Sequence, residues 1–219
     1  MIITNQGYHA DNAVALPVER AWVYRPQAAW FYSHHPSLAF FNGRYQAIWS
    51  NGRRDEDAPG QRALIASSED FLNWTDPAPL FDSLPGLHSE HVLTAAGFHQ
   101  HDGQLVAYAV SYAYQPECLD EQGQRRPGDK GHMNTTLLAM TSRDGKTWSS
   151  TMDLHLPIVP NHGPQRTASG RLIISGNISF PYPHTLVHDG CLHIIVSRRK
   201  EAVEVLRVRN VAGASSSGT

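Results

Sequence analysis

With 219 residues, 41% of them hydrophobic and 17% charged, the chain has apolar material for a sizeable core and is not composed like a disordered segment. A formal charge of -2 without any long basic run argues against nucleic acid as a partner, and no apolar run approaches a membrane span. Cys118 and Cys191 are too few for a disulfide scaffold and stand at no metal-ligand spacing, so they read as free thiols, and no metal or cofactor is expected.

The first residues show neither a basic n-region nor an apolar h-region, which predicts a cytoplasmic protein or one whose export signal is missing from this chain. Residues 1–30 carry little alternation; Trp22, Tyr24 and Trp30 are the expected buried anchors, and the segment is expected to help close a ring. From Pro36 the pattern becomes regular. Ser37 to Phe41, the turn Asn42-Gly43 and Arg44 to Ser50 form a hairpin, because Asn-Gly between β-formers supplies two positive φ angles in a two-residue turn. A polar loop, Asn51 to Gln61, leads to a strand over Arg62 to Ser67, and an outer strand is expected to end near Phe81.

The same order then recurs. Thr94 to His99 turns through His101-Asp102-Gly103 into Leu105 to Val110, and a long polar loop from Tyr112 to Asn134 precedes a strand over Thr136 to Thr141. Two further hairpins are expected. One leads through Ser169-Gly170 into Arg171 to Ser175, and the other turns through His188-Asp189-Gly190 between Thr185 to Val187 and Cys191 to Val196. A last strand runs from Ala202 to Val208, and residues 210–219 form a Gly/Ser tail expected to be loose.

Two stretches tie these units together. Ser142-Arg143-Asp144-Gly145-Lys146-Thr147-Trp148 reads as a strand end, a tight turn and an aromatic plug, since aspartate can bond its own downstream backbone and glycine accepts positive φ. Ser68-Glu69-Asp70-Phe71-Leu72-Asn73-Trp74 repeats the serine, aspartate and tryptophan at the same offsets, with Phe71 in place of the glycine. Self-similarity at this scale points to radial or solenoid repetition, in which each unit buries its faces against its neighbours.

The two stretches resemble the Asp-box, or BNR repeat, of the sialidase superfamily of β-propellers, and the hairpin order resembles that superfamily over most of the chain. The resemblance implies an all-β, sialidase-like β-propeller in one domain over 1–219. About four inner hairpins are recognisable but only two complete four-stranded blades, so the propeller is expected to be incomplete. His34-His35-Pro36-Ser37-Leu38 stands where sialidases carry an Arg-Ile-Pro motif, and Asn161 to Leu172 is similar to their glycine-rich stretch ending in Gly-Arg-Leu. The histidines in place of the first arginine, with the loop Arg53-Arg54-Asp55-Glu56-Asp57, resemble more closely the sialidase-fold rhamnosidases and ulvan-type polysaccharide lyases.

In a blade of that fold, the loop entering the first strand and the loop between the second and third strands share one face, which is where chemistry is expected. By that address the candidate catalytic residues are His34, His35, His91 and Tyr112. The candidate substrate-binding residues are Arg53, Arg54, Asp55, His162, Arg166, His184 and Arg198. Imidazole serves as acid or base near neutral pH, and arginine forks grip a sugar carboxylate. The bland readings stay beside these: the 53–57 loop as a self-satisfied charged surface, and His34-His35 as a strand cap held extended by Pro36.

The resemblance implies a carbohydrate-active enzyme, a glycoside hydrolase or polysaccharide lyase, that cleaves a glycosidic bond in an anionic, uronate- or sialate-containing glycan with histidine assistance. The partner would be an oligosaccharide or polysaccharide. The alternative is a non-catalytic carbohydrate-binding or degenerate propeller.

Overall fold

In a computed structural model, the described residues are 21–128, 131–169 and 172–176, together with the backbone of 184–188, 191–198 and 202–208. The chain divides into a larger unit, Trp22–Tyr182, and a smaller one made of Met1–Ala21 and Pro183–Thr219.

The larger unit holds two four-stranded antiparallel sheets built alike. The first runs β1 (Tyr32–Phe41), β2 (Arg44–Gly52), β3 (Arg62–Ser68) and β4 (Ala78–Phe81); the second runs β5 (Val92–His101), β6 (Gln104–Tyr114), β7 (His132–Ser142) and β8 (Met152–Asp153). Asn42-Gly43 and Asp102-Gly103 turn the inner hairpins with φ of 48 and 75° and of 48 and 69°, the doubly left-handed turn whose twist matches the strands. Both inner strands bulge, β1 between His34 and Ser37 and β5 between Ala95 and Phe98. The repetition read from the sequence therefore extends to a detail that the sequence did not announce.

Sheets built this way can stack because their facing residues are small. Ala63, Ala95, Ala107 and Ala109 are fully buried in a cluster with Ile48, Phe81 and Leu93, and Trp148 packs at its margin. A second cluster fills the other face of the second sheet, where Val92, Val110, Tyr112, Tyr114 and Leu137 meet Cys118 and Leu119. On the first sheet Trp49 and Leu64 are covered in part by Val23, Tyr24 and Trp74. Because β2 and β6 lie inside their sheets with both faces covered, they read as continuous buried runs and not as alternation.

The two aspartate turns hold themselves together alike. Asp144 Oδ1 accepts the Lys146 and Thr147 amides at 2.8 Å each, and Ser142 Oγ donates to it at 3.0 Å. Asp70 Oδ1 accepts the Leu72 and Asn73 amides at 3.0 and 2.8 Å, and Ser68 Oγ donates at 3.1 Å. Phe71 takes the left-handed conformation, φ 69°, that Gly145 takes at 71°. The Asp144 turn lies against the first sheet's hairpin: Asn42 Nδ2 donates to Arg143 O at 2.7 Å, and Gln46 Nε2 to Gly145 O at 3.0 Å.

Several expectations change. Trp22, expected to be buried, is 68% exposed, with the Arg25 guanidinium 4.5 Å over its ring. The loop expected from Tyr112 to Asn134 is shorter: Tyr114 pairs with His132, and a 3₁₀ turn over Pro116–Cys118 buries the Cys118 thiol. The third hairpin is reduced to β9 (Gln165–Arg166) against β10 (Leu172–Ile173). In the smaller unit, β11 (His184–His188), β12 (Cys191–Arg198) and β13 (Ala202–Val208) form one antiparallel sheet, and the side chain of Cys191 lies outside the described residues. Among the described residues no helix is long and apolar enough to cross a membrane.

Candidate functional site

Consecutive residues of a strand point to opposite faces, so His34 and His35 should diverge. The bulge in β1 prevents this. His34 pairs with Ser50 and Ser37 with Ile48, which leaves His35 and Pro36 opposite Trp49 alone, and His35 turns left-handed at φ 52°. Its ring swings beside that of His34, centroids 4.0 Å apart, with His34 Nδ1 3.1 Å from His35 Nε2. Both nitrogens face Glu56 Oε1, at 3.1 and 3.7 Å. Behind the pair, His35 Nδ1 lies 3.2 Å from the Oγ of fully buried Ser50, and Ser50 Oγ accepts the Ala95 amide at 2.9 Å. The His34 side chain is 45% exposed, against 10% for His35 and 17% for Glu56, so the cluster opens to solvent from a rigid floor.

The loop that carries Glu56 is fixed from below. Arg125 Nη2 donates to Glu56 O at 3.1 Å and pairs with Asp55 at 3.7 Å. Tyr114 donates its hydroxyl to Asp57 O at 2.9 Å. The Asp57 amide donates to Gln61 Oε1 at 3.1 Å, and Gln61 Nε2 in turn reaches Leu93 O and Thr94 Oγ1, both at 3.1 Å. Burial pushes the Tyr112 and Tyr114 hydroxyls above the ordinary phenol value, and the Asp57 charge adds to it, so both are neutral across the physiological range.

A second polar group lies at the same strand ends. Arg53 makes a two-pronged contact with Glu90 at 2.5 and 3.3 Å, and that hydrogen bond raises its already high pKa. The Trp30 ring carries the Arg53 guanidinium at 4.9 Å and the Arg62 guanidinium at 3.6 Å. His91 Nδ1 lies 3.1 Å from Ser111 Oγ.

The sequence-derived candidates thus separate. His34, His35, Arg53, Arg54, Asp55 and His91 lie where β1 and β5 begin and β2 ends; Arg54 and Asp55 are exposed on the loop. Tyr112 is at that end too, but it is 2% exposed, stacked on His132 at 4.2 Å, and supports the loop from inside the core. His162 lies beside the β5 bulge, its Nδ1 2.6 Å from Gly163 O; a Cβ on Gly97 would come 3.4 Å from its Cα. Arg166 is at the opposite end, 3.4 Å from Nδ1 of His101, the last residue of β5. His184 and Arg198 lie in β11 and β12, and their side chains are outside the described residues. Sequence reasoning did not single out Glu56, Glu90 or Arg125 as site residues. Glu56 was within reach, standing one place after Asp55, whereas nothing local marks Arg125 inside a long loop.

Two concave surfaces lie away from this end, one at the Asp70 turn and one between Phe40, Phe98, His99 and Arg166. The histidine cluster has the denser arrangement of titratable groups and is the better candidate site.

Comparison with known proteins bears on the fold. A family model described as BT_1020-like, N-terminal beta propeller, matches residues 15–114. No curated protein matches the chain. Among solved structures, Trypanosoma rangeli sialidase is similar at 11% identity over 80% of this chain and 36% of that one, with a TM-score of 0.50. The same enzyme in complex with sialic acid gives 12% identity over 81% and 31%, TM-score 0.46. A further structure, described as a sialidase, gives 20% identity over 62% and 14%, TM-score 0.45. The chain spans between 14% and 36% of the length of these three. The fold is that of a sialidase-like β-propeller, with all-β blades built from antiparallel sheets.

Proposed function

We propose that this chain forms part of a carbohydrate-active enzyme that cleaves a glycosidic bond in an anionic, uronate- or sialate-containing glycan, with His34 and His35 as its acid and base. The observation that carries the reading is the convergence of two imidazoles and the Glu56 carboxylate at an open strand end. A carboxylate beside an imidazole orients it, as a proton-transferring histidine requires. His34, the more exposed, is the one placed to meet a substrate, and His35 is held by Ser50. Arg54 on the neighbouring loop is the cation available to a sugar carboxylate, since Arg53 is engaged with Glu90.

Uronate- and sialate-containing oligosaccharides test this directly. New reducing ends without unsaturation mean hydrolysis, and new ultraviolet-absorbing unsaturated ends mean elimination. His34→Ala should lower kcat by roughly 10²–10⁴-fold, the usual worth of general acid–base catalysis. Full activity in both His34→Ala and His35→Ala would refute the histidine mechanism. One observation favours a non-catalytic carbohydrate-binding propeller as second reading: Tyr112 is buried, and Arg53 and Arg125 are already paired with Glu90 and Asp55. Binding of the same sugars without turnover would select it.

A further inference from the structure

We infer that His34 Nδ1, His35 Nε2 and Glu56 Oε1 form the three-ligand face of a zinc-class divalent metal site with an open fourth position. This stands apart from the sugar reading and is an alternative to its acid–base assignment, since a bound ion would take the lone pairs of His34 Nδ1 and His35 Nε2; it rests on the placement of three donor atoms. They are separated by 3.1, 3.1 and 3.7 Å. Ligands at about 2.0–2.1 Å from a tetrahedral ion are about 3.3 Å apart, so one ion fits above this triangle with little movement of any donor. Among the described residues, these three are the group of histidine, cysteine and acidic side chains whose donor atoms converge closely enough to share an ion.

His34 Nδ1 stands 3.1 Å from both His35 Nε2 and Glu56 Oε1, and an ion can take a lone pair from each of the three. The groups behind the donors also fit. A ligating histidine characteristically donates its other ring N–H, and Ser50 Oγ, 3.2 Å from His35 Nδ1, is an acceptor for it in the tautomer that a bound ion would select. Ser50 is fixed by the Ala95 amide, and the Glu56 backbone is fixed by Arg125. The left-handed His35, immediately before Pro36, gains a purpose as well. Such a conformation is costly for a residue with a Cβ, and here it aims two successive side chains at one point.

The donor set selects among ions. Two imidazoles and one carboxylate suit zinc and its first-row neighbours, whereas calcium and magnesium prefer all-oxygen shells. Exposure of the His34 edge leaves the fourth position open to water or to an oxygen of a bound molecule.

The test is titration of the chelator-treated full chain with Zn²⁺ alone, followed by calorimetry. One site per chain is expected, weakening in acid because protons compete with the ion for its donors. Glu56→Gln, close in shape, and His35→Ala should each weaken it by roughly tenfold or more, since even outer partners of ligands are worth 10–100-fold. His155→Ala removes an exposed histidine that pairs with Asp153 and should leave the site intact. Co²⁺ in the unaltered chain should give the intense visible absorption of a four-coordinate centre, a readout that needs no variant to fold. Zinc binding that is unchanged in both Glu56→Gln and His35→Ala, or a Co²⁺ spectrum of the six-coordinate aqueous type, would overturn the inference. Failure of sugar turnover bears on the proposed function and not on this site, so the two can fail separately.

Discussion

Asp70 and Asp144 are exposed carboxylates whose protonation matters to the fold because each is the acceptor that closes a turn. The backbone amide of Asn73 is the largest influence holding Asp70 down to about 2, joined by the Asn73 side chain, Ser68 and the Leu72 amide. The Thr147 and Lys146 amides hold Asp144 lower still. A carboxyl group depressed in the folded state stabilises it fully above its unfolded value, about 3.8, and that contribution is lost as pH falls toward the folded value. The urea midpoint should therefore decline between about pH 4 and pH 2. In Asp144→Asn it should start lower at pH 5 and decline less; equal slopes in the two proteins would mean that the turn carboxylates are not the titrating groups. This much was legible in the sequence, because an aspartate that bonds amides two and three places on needs only its neighbours. The protonation of Tyr112 and Tyr114 was not, because their burial depends on Cys118, Leu119 and the 53–61 loop closing over them.

At the scale of the element, the instructive comparison is between the two turns. Both hold their central residue left-handed, yet one carries glycine and the other phenylalanine. Phe71 offsets its backbone cost by meeting Tyr45 edge-on, 5.5 Å between centroids. Gly145 has no such freedom: a Cβ there would stand 2.7 Å from Gln46 Nε2, the group that donates to its own carbonyl. Gly145→Ala should therefore cost about 1–2 kcal/mol from the left-handed backbone, with further loss as Gln46 is displaced. Guanidinium denaturation reads this, and a cost near zero would mean that the turn relaxes away from the first sheet. Strand and hairpin positions followed from Asn42-Gly43, Asp102-Gly103 and the alternation around them. The bulge that brings His35 to His34 did not, because a strand of Ser, His and Pro carries no marker for which residue will be left unpaired.

For the larger unit as a whole, stability rests on two sheets that approach closely through alanines. Ala109 is fully buried between β5 and β7 and lies in the cluster with Ala63 of the first sheet. Ala109→Leu should destabilise by about 1–3 kcal/mol through overpacking, whereas Leu38→Ala, at a position 56% exposed, should stay within about 0.5 kcal/mol. Equal effects in thermal unfolding would place the sheets further apart than described here. The sequence by itself determined the all-β blade, the two-residue turns and the aspartate-locked repeat, since each depends on residues within a few places of one another. Only the tertiary structure decided which side chains meet. It joined His34 and His35 to Glu56, spent Arg53 on Glu90, moved Tyr112 inside and left Arg166 at the far end of β5. Those outcomes depend on one bulge and on where a loop lands against the next sheet, and contacts between residues far apart in the chain leave no period or spacing from which to read them.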